Sequence, residues 1–321
     1  MSEQQILYFI TLVEEKSFSK AAKKLYVTQP SFSQYIMKIE QQLGTRLFDR
    51  NSTPIKLTAE GEAVYEAVCE IRSINENLKN RIASLTNLQT GSLKIGTTPY
   101  RGATLLSKSI KQYHTEYPGI SITILEKPME ELLATVLNGE CDFAIGSGNI
   151  NRTIFHVEQL ATEQLYIAIS PNNPLANSLK AYKITEQDIK EHSLTLLSVE
   201  PCPLNHFKHT PFVQYEGGEN ITELTSHILE EAGLQPVISL HSRDMYTVFS
   251  FVIADMGFSI LPDTLIKYGN QKQHGDYYRI ESEFATNSIY LISKQNRIFS
   301  KAALEYCRIL KELIVSGTWR Y

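Results

Sequence analysis

Hydrophobic positions near the N-terminus recur at helical spacing. Ile6, Phe9, Ile10 and Val13 follow Ser2 and Gln5, a capping-box pair, and predict a first helix. SFSKAAKKL turns Ala21, Ala22 and Leu25 inward behind a Ser17 or Ser19 cap and predicts a short second helix. Phe32, Ile36, Ile39 and Leu43 form one apolar stripe of a third. Thr28 caps it, Pro30 sits in its first turn, where a missing N–H costs little, and Gly44 ends it. Three short helices with a tight turn at Tyr26 and Val27 describe a helix-turn-helix. RLFDRNSTPIKLT, with Pro54 between β-prone pieces, adds a two-stranded wing.

From Ala59 to about Leu88 there is no proline, and Gly61 is the only glycine. Val64, Ile71, Leu78 and Leu85 recur every seven residues, with Ile74 and Leu88 at companion positions and Ile82 beside Arg81 at the third. This predicts a long helix with a coiled-coil seam, and the simplest use of such a seam is pairing with a second copy. Thr90 and Gly91 break the helix. Strands then alternate with helices: LKIGT, ISITIL, DFAIG, YIAIS, LTLLS, VISLH, FSIL and SIYLIS, with helices between several of them and one from Ser300 to about Val315. That alternation predicts α/β layers on a largely parallel sheet, in two units of similar plan.

Charge sharpens the division. Residues 1–58 carry eight Lys/Arg against five Asp/Glu, a net +3 that leaves −7 on the rest of a chain of formal charge −4. A mildly basic head on an acidic body fits a polyanion-binding module joined to a larger domain. The outer face of the third helix carries Pro30, Ser33, Gln34, Lys38 and Gln41, with no acid in its first turns. Ordinary solvent-facing helices favour Glu/Lys pairs, so short hydroxyl and amide side chains ask for another neighbour. The four cysteines, Cys69, Cys141, Cys202 and Cys307, lie far apart, as suits a reducing cytosol. No signal peptide is evident, and the most apolar stretch, Met245 to Pro262, is interrupted by Asp255 and Gly257, so no membrane span is expected.

SFSKAAKKLYVTQPSFSQYIMKIEQQLGTRLFDR followed by LTAEG resembles the N-terminal region of LysR-type transcriptional regulators. The match runs in order through Phe18, Ser19, Ala21, Ala22, Leu25, Gln29, Pro30, Ser33, Ile36, Glu40, Leu43, Gly44, Leu47, Phe48, Arg50, Leu57, Thr58 and Gly61. GSLKIG, YPGISITIL, NGECDFAIG and ADMGFSILP are similar, more weakly, to the family's effector-binding domain. The resemblance implies a winged helix-turn-helix over residues 1–58 and a dimerising linker helix over 59–89 with seam residues Val64, Ile71, Ile74, Leu78 and Leu85. It further implies an effector-binding domain over 90–321, built like periplasmic solute-binding proteins from subdomain I (about 91–162 and 269–321) and subdomain II (about 163–268). It also implies a bacterial, cytoplasmic regulator that is a homodimer or tetramer, with promoter DNA and a small effector as partners. The wing departs from the family's frequent second Arg, offering Thr53 instead, and Phe32 is larger than the usual aliphatic.

In that setting the third helix meets base edges in a major groove. Gln34 suits a bidentate pair with adenine, and Ser33 suits either kind of base edge. Gln29, Pro30 and Ser31 stand at the helix start, where a phosphate is favoured, and Lys38, Arg50 and Lys56 are phosphate partners. For the effector, the loops after strands mark the cleft of an open α/β sheet. Those loops carry Thr97, Thr98 and Arg101, then Ser147, Ser198, and Ser242 with Arg243. Hydroxyls and guanidinium groups together point to a small anion, with the long Arg101 stem free to swing to water when no ligand is bound. A redox or metal response through Cys202, with His206, His209 and Glu200 nearby, is the alternative within the class. It lacks a second cysteine in 203–211 and a standard zinc spacing. A cytosolic solute-binding protein is the alternative outside it, and it leaves the basic head unexplained. No catalytic motif for hydrolysis, nucleotide binding or metal-dependent proteolysis is present, so neither an enzyme nor a bound cofactor or metal is expected.

Overall fold

The structure, a computed structural model, describes residues 1–84, 90–217, 220–268 and 274–317. Its contacts divide the chain into two units, Met1–Leu78 and Lys79–Tyr321.

In the first unit α1 (Glu3–Glu15) starts at the expected capping box of Ser2 and Gln5. Next comes α2 (Phe18–Lys24), capped by Ser17, and then α3 (Gln29–Leu43), capped by Thr28. Gly44 ends α3 in the left-handed region at φ 73°, where a Cβ is disfavoured. The apolar stripes meet in one core of Phe9, Leu12, Ala21, Ala22, Phe32, Ile36, Ile39, Leu47 and Phe48. Phe32 lies 5.4 Å from Tyr8 and 5.9 Å from Phe18, ring centre to ring centre, so its extra bulk is absorbed by aromatic packing. The wing is a short antiparallel pair, β1 (Phe48–Asp49) and β2 (Lys56–Leu57). The long helix α4 (Ala59–Ser84) follows. Its Gly61 is required by packing, because a Cβ there would stand 2.0 Å from the Leu47 carbonyl oxygen.

The second unit opens with β3 (Gly91–Thr97), then α5 (Pro99–Arg101), which continues through a π turn into α6 (Ser107–Glu116). There follow β4 (Ile120–Glu126), α7 (Met129–Leu137), β5 (Phe143–Gly146) and the long β6 (Phe155–Ile169). Beyond it lie α8 (Pro174–Ser178), β7 (Lys183–Ile184), α9 (Glu186–Glu191), α10 (Thr195–Ser198), β8 (Phe212–Tyr215), α11 (Asn220–Glu231), β9 (Ile238–Ser242) and α12 (Met245–Ile253). The chain closes with β10 (Ser259–Pro262), α13 (Asp263–Tyr268), β11 (Asp276–Arg279), β12 (Thr286–Lys294) and α14 (Lys301–Val315).

Two of its hydrophobic cores mark two lobes. One joins Leu93, Ile95, Tyr113, Phe143, Ile145, Ile289, Leu291 and Tyr306; the other joins Leu165, Ile167, Phe207, Val213, Val248, Phe258, Ile260, Tyr277 and Tyr278. The sheet is mixed. Strand β3 pairs in parallel with β4 and β5, whereas β12 runs antiparallel to β5 and β6, and β10 and β11 antiparallel to β6; β8 and β9 form a separate parallel pair. The expected largely parallel sheet holds only inside each βαβ unit, because β6 and β12 run between the lobes and pair in opposite directions. The return from the second lobe also falls later than about residue 269. Tyr277, Tyr278 and Ile280 belong to the second core, so the crossing is made by β12.

LTLLS is the other departure. Thr195–Ser198 is one helical turn, and PFVQY supplies the strand, β8, that pairs with β9. A short apolar run does not by itself distinguish strand from helix.

Candidate nucleic-acid interface and effector cleft

The outer face of α3 is uncharged but for Lys38. Gln29, Pro30, Ser31, Gln34 and Lys38 are exposed, and Ser33 is half-buried. Gln29 Oε1 accepts a hydrogen bond from Ser19 Oγ at 2.8 Å, which ties the start of α3 to α2. The single acid of α3, Glu40, is turned inward and buried. Its Oε1 accepts from the Leu47 and Phe48 N–H groups at 2.9 and 3.3 Å, and its Oε2 accepts from Arg50 Nη2 at 2.8 Å. Arg50 also lies over the Phe18 ring, 5.3 Å from its centre. It therefore anchors the wing to α3 while its side chain stays one-third exposed. Lys56 stands exposed on β2, its N–H held by Ser52 Oγ at 3.1 Å.

Along α4, Ile71, Ile74 and Leu78 are 40, 65 and 56% exposed in the single chain, an apolar row open to solvent. Val64 differs: it is half-buried against the N-terminal core beside Val68. Leu85 and Leu88 lie outside the described residues.

In the second unit, the chain brings Thr97, Thr98, Arg101 and Ser147 together at the ends of β3 and β5. Thr97 Oγ1 donates to the Ile145 carbonyl at 3.1 Å, and Arg101 Nη2 donates to Ser147 Oγ at 3.0 Å. Thr98 is buried, and its Oγ1 has no hydrogen-bond partner among the described residues. Arg101 does not swing to water. It is fully buried, with Nη2 2.6 Å from Glu163 Oε1 and its guanidinium over the Tyr100 ring. A guanidinium enclosed by protein needs a counter-charge, and the chain supplies its own.

Glu163 gathers further donors. Asn287 Nδ2 reaches Oε1 at 2.6 Å, the Tyr100 hydroxyl reaches it at 3.4 Å, and Thr264 Oγ1 reaches Oε2 at 2.7 Å. Asn287 is also the direct cross-strand partner of Glu163, and its Oδ1 accepts from Asn220 Nδ2 at 2.9 Å. One buried network thus joins the start of α5 (Arg101, with Tyr100, whose ring packs into the second core), the crossing strands (Glu163, Asn287) and the second lobe (Asn220, Thr264). Burial pushes the Glu163 carboxyl upward, but the Arg101 charge and the hydrogen bonds from Arg101, Thr264 and Asn287 outweigh it and hold the group below its ordinary value. Sequence reasoning missed Glu163, Asn220, Thr264 and Asn287. The available signal was a lone acid inside the strand-like run LATEQLYIAIS.

Three further expected effector residues stand on the second lobe. Ser198 ends the helical turn α10 rather than a strand and is exposed. Ser242 bonds Asp244, whose side chain caps α12, and Arg243 beside it is exposed. Cys202 is buried, its thiol pushed up to about 12 by burial, which opposes formation of a reactive thiolate. Among the described residues no three His, Cys, Asp or Glu side chains group to hold a metal ion. No helix among them is long and apolar enough to cross a membrane.

A winged helix-turn-helix, a long helix and a two-lobed α/β receptor domain together define a ligand-responsive transcriptional regulator. Comparison with known proteins places the chain more closely. Residues 4–62 match the family profile of bacterial regulatory helix-turn-helix proteins of the lysR family, and residues 86–202 and 191–314 match the LysR substrate binding domain. The chain belongs to the LysR family of DNA-binding transcriptional regulators. Among similar proteins, the regulator BsdA of Bacillus subtilis (strain 168) is 28% identical over 269 residues, 83% of this chain and 85% of its own length. BenM of Acinetobacter baylyi is 25% identical over 262 residues, 82% of this chain and 80% of its own. The crystal structure of full-length CbnR complexed with its target DNA shares the fold, with a TM-score of 0.62 and 19% identity over 97% of this chain and 99% of that one.

Proposed function

We propose that residues 1–58 read promoter DNA through the exposed start of α3, with residues 59–89 pairing two copies and residues 90–321 sensing a small-molecule effector in the cytoplasm. Gln34 and Ser33 contact base edges. Gln29, Pro30 and Ser31 sit at the phosphate backbone near the helix start, and Lys38, Arg50 and Lys56 contact phosphates. The observation that carries this reading is the removal of Glu40 from the outer face of α3, which leaves a surface of amides, hydroxyls and one cation. A carboxylate there would face phosphate; amides and hydroxyls match base edges. Ile71, Ile74 and Leu78 form the pairing seam, which Val64 begins and Leu85 extends, and two dimers join into a tetramer.

The effector pocket is built at the ends of β3 and β5, from Thr97, Thr98 and Ser147 over the Arg101–Glu163 network. Ser198, Ser242 and Arg243 supply the second lobe's side of the cleft. Because the network draws donors from both lobes, a ligand held there bears on their relative orientation, which is the differential contact a switch requires. The protein acts by binding and catalyses no reaction. Fluorescence anisotropy of the full chain on its own promoter fragment and on a scrambled duplex tests the reading. Tight binding to the promoter alone is expected, together with a change in that affinity on adding a compound found by thermal-shift screening. Equal affinity for both duplexes would remove the DNA-reading role.

A further inference from the structure

Glu163 is fully buried at the junction of the two lobes and accepts from four side chains: Arg101, Asn287, Thr264 and, at the longest distance, Tyr100. A guanidinium, an amide and hydroxyl groups around one carboxylate are the surroundings a receptor builds for a bound anion. Here the carboxylate belongs to the chain.

The consequence concerns charge. With Glu163 in place, Arg101 is neutralised, and the floor of the pocket offers an anion no net attraction. An anionic ligand that reached Arg101 would leave the Glu163 carboxylate buried without its counter-ion, which is strongly unfavourable. What the pocket still offers is uncharged. Thr98 Oγ1 is buried and lacks a hydrogen-bond partner among the described residues, a state that favours a ligand able to supply one.

We infer that Glu163 sets the charge of the effector: its carboxylate occupies the seat on Arg101 that an anionic ligand would need, so the pocket takes an uncharged, hydrogen-bonding molecule met first by Thr98. The inference rests on the effector role proposed for residues 90–321.

The test removes the internal carboxylate. Glu163→Ala in the full chain opens the position that its carboxylate holds against Arg101, and formate is small enough to take it. Thermal unfolding is followed in sodium formate and in sodium chloride at equal ionic strength, with formamide as the uncharged match to formate. The expected result is a saturable rise in Tm of about 4 °C for Glu163→Ala in formate. Chloride and formamide should give no such rise, nor should formate act on the wild type or on the Glu163→Ala/Arg101→Met double variant. Should Glu163→Ala not fold unaided, its refolding yield is compared in the two salts. Recovery in formate alone supports the inference, and failure in both overturns it. Saturable stabilisation of the wild type by acetate but not by acetamide, lost in Arg101→Met, would also overturn it. Promoter affinity measured on the same samples separates the two claims. Formate rescue with DNA binding indifferent to formate keeps the role of Glu163 and removes the effector reading.

Discussion

Arg50 Nη2 stands 2.8 Å from Glu40 Oε2, and the pair takes the only carboxylate of α3 off its outer face. The same carboxylate holds the Leu47 and Phe48 N–H groups at the start of the wing. Glu40→Ala leaves these donors without their acceptor and should destabilise the first unit by about 2–3 kcal/mol. Glu40→Gln, which keeps one acceptor oxygen, should cost less. Urea unfolding followed by circular dichroism measures both. An alanine variant as stable as wild type would make the pair a surface contact without structural weight.

Gln34 and Lys56 should fail differently. Gln34→Ala is expected to weaken promoter binding by about 1–3 kcal/mol and to relax preference at one base pair. Lys56→Ala should weaken binding to every duplex alike and lower the salt slope by about one. Anisotropy titrations across salt concentrations on promoter and scrambled DNA separate the two. Equal losses on both duplexes for Gln34→Ala would move that side chain from base to backbone.

The buried thiols predict an alkaline limit rather than a redox response. Burial raises Cys141 to about 11 and Cys202 and Cys307 to about 12. A group whose folded value is raised contributes stability in full below its unfolded value and loses it as pH rises through the folded value. Stability should therefore decline from the ordinary thiol range upward toward pH 11–12, and Cys202→Ala should make that decline shallower. At neutral pH, iodoacetamide should label Cys202 no faster than the second unit opens. Rapid labelling, or loss of DNA binding in dilute peroxide, would restore the redox alternative.

The helix-turn-helix was legible because its information is local. Periodicity, caps and Gly44 each act within a few residues, and the polar face of α3 follows from the same spacing. The buried Arg101–Glu163 network was not legible, for the opposite reason. Arg101 and Glu163 are 62 residues apart in sequence, and no local pattern records that the fold joins them. Arg101 therefore read as a free cation awaiting an anion. The strand ends were half legible: DFAIG and VISLH are strands, whereas the apolar run LTLLS folded as a helical turn and β8 arose from the less apolar PFVQY.

The apolar row on α4 gives the last prediction. Ile71, Ile74 and Leu78 share one side of the helix and are largely exposed in the single chain, while Val68, on the same helix, is buried in the N-terminal core. A row of large aliphatic side chains left in water forgoes about 1.5–3 kcal/mol for each that could be covered, and a second α4 offers a matching surface. Ile71→Asp with Leu78→Asp would place two carboxylates in that seam, where their desolvation opposes pairing. The first unit should fold unchanged, since neither residue belongs to its core. Light scattering of the double variant should therefore show a smaller particle with wild-type helical content. Promoter affinity should fall to the level of a single half-site, because two weak contacts joined in one molecule bind far better than either alone. A double variant of unchanged size would mean that copies associate through another surface.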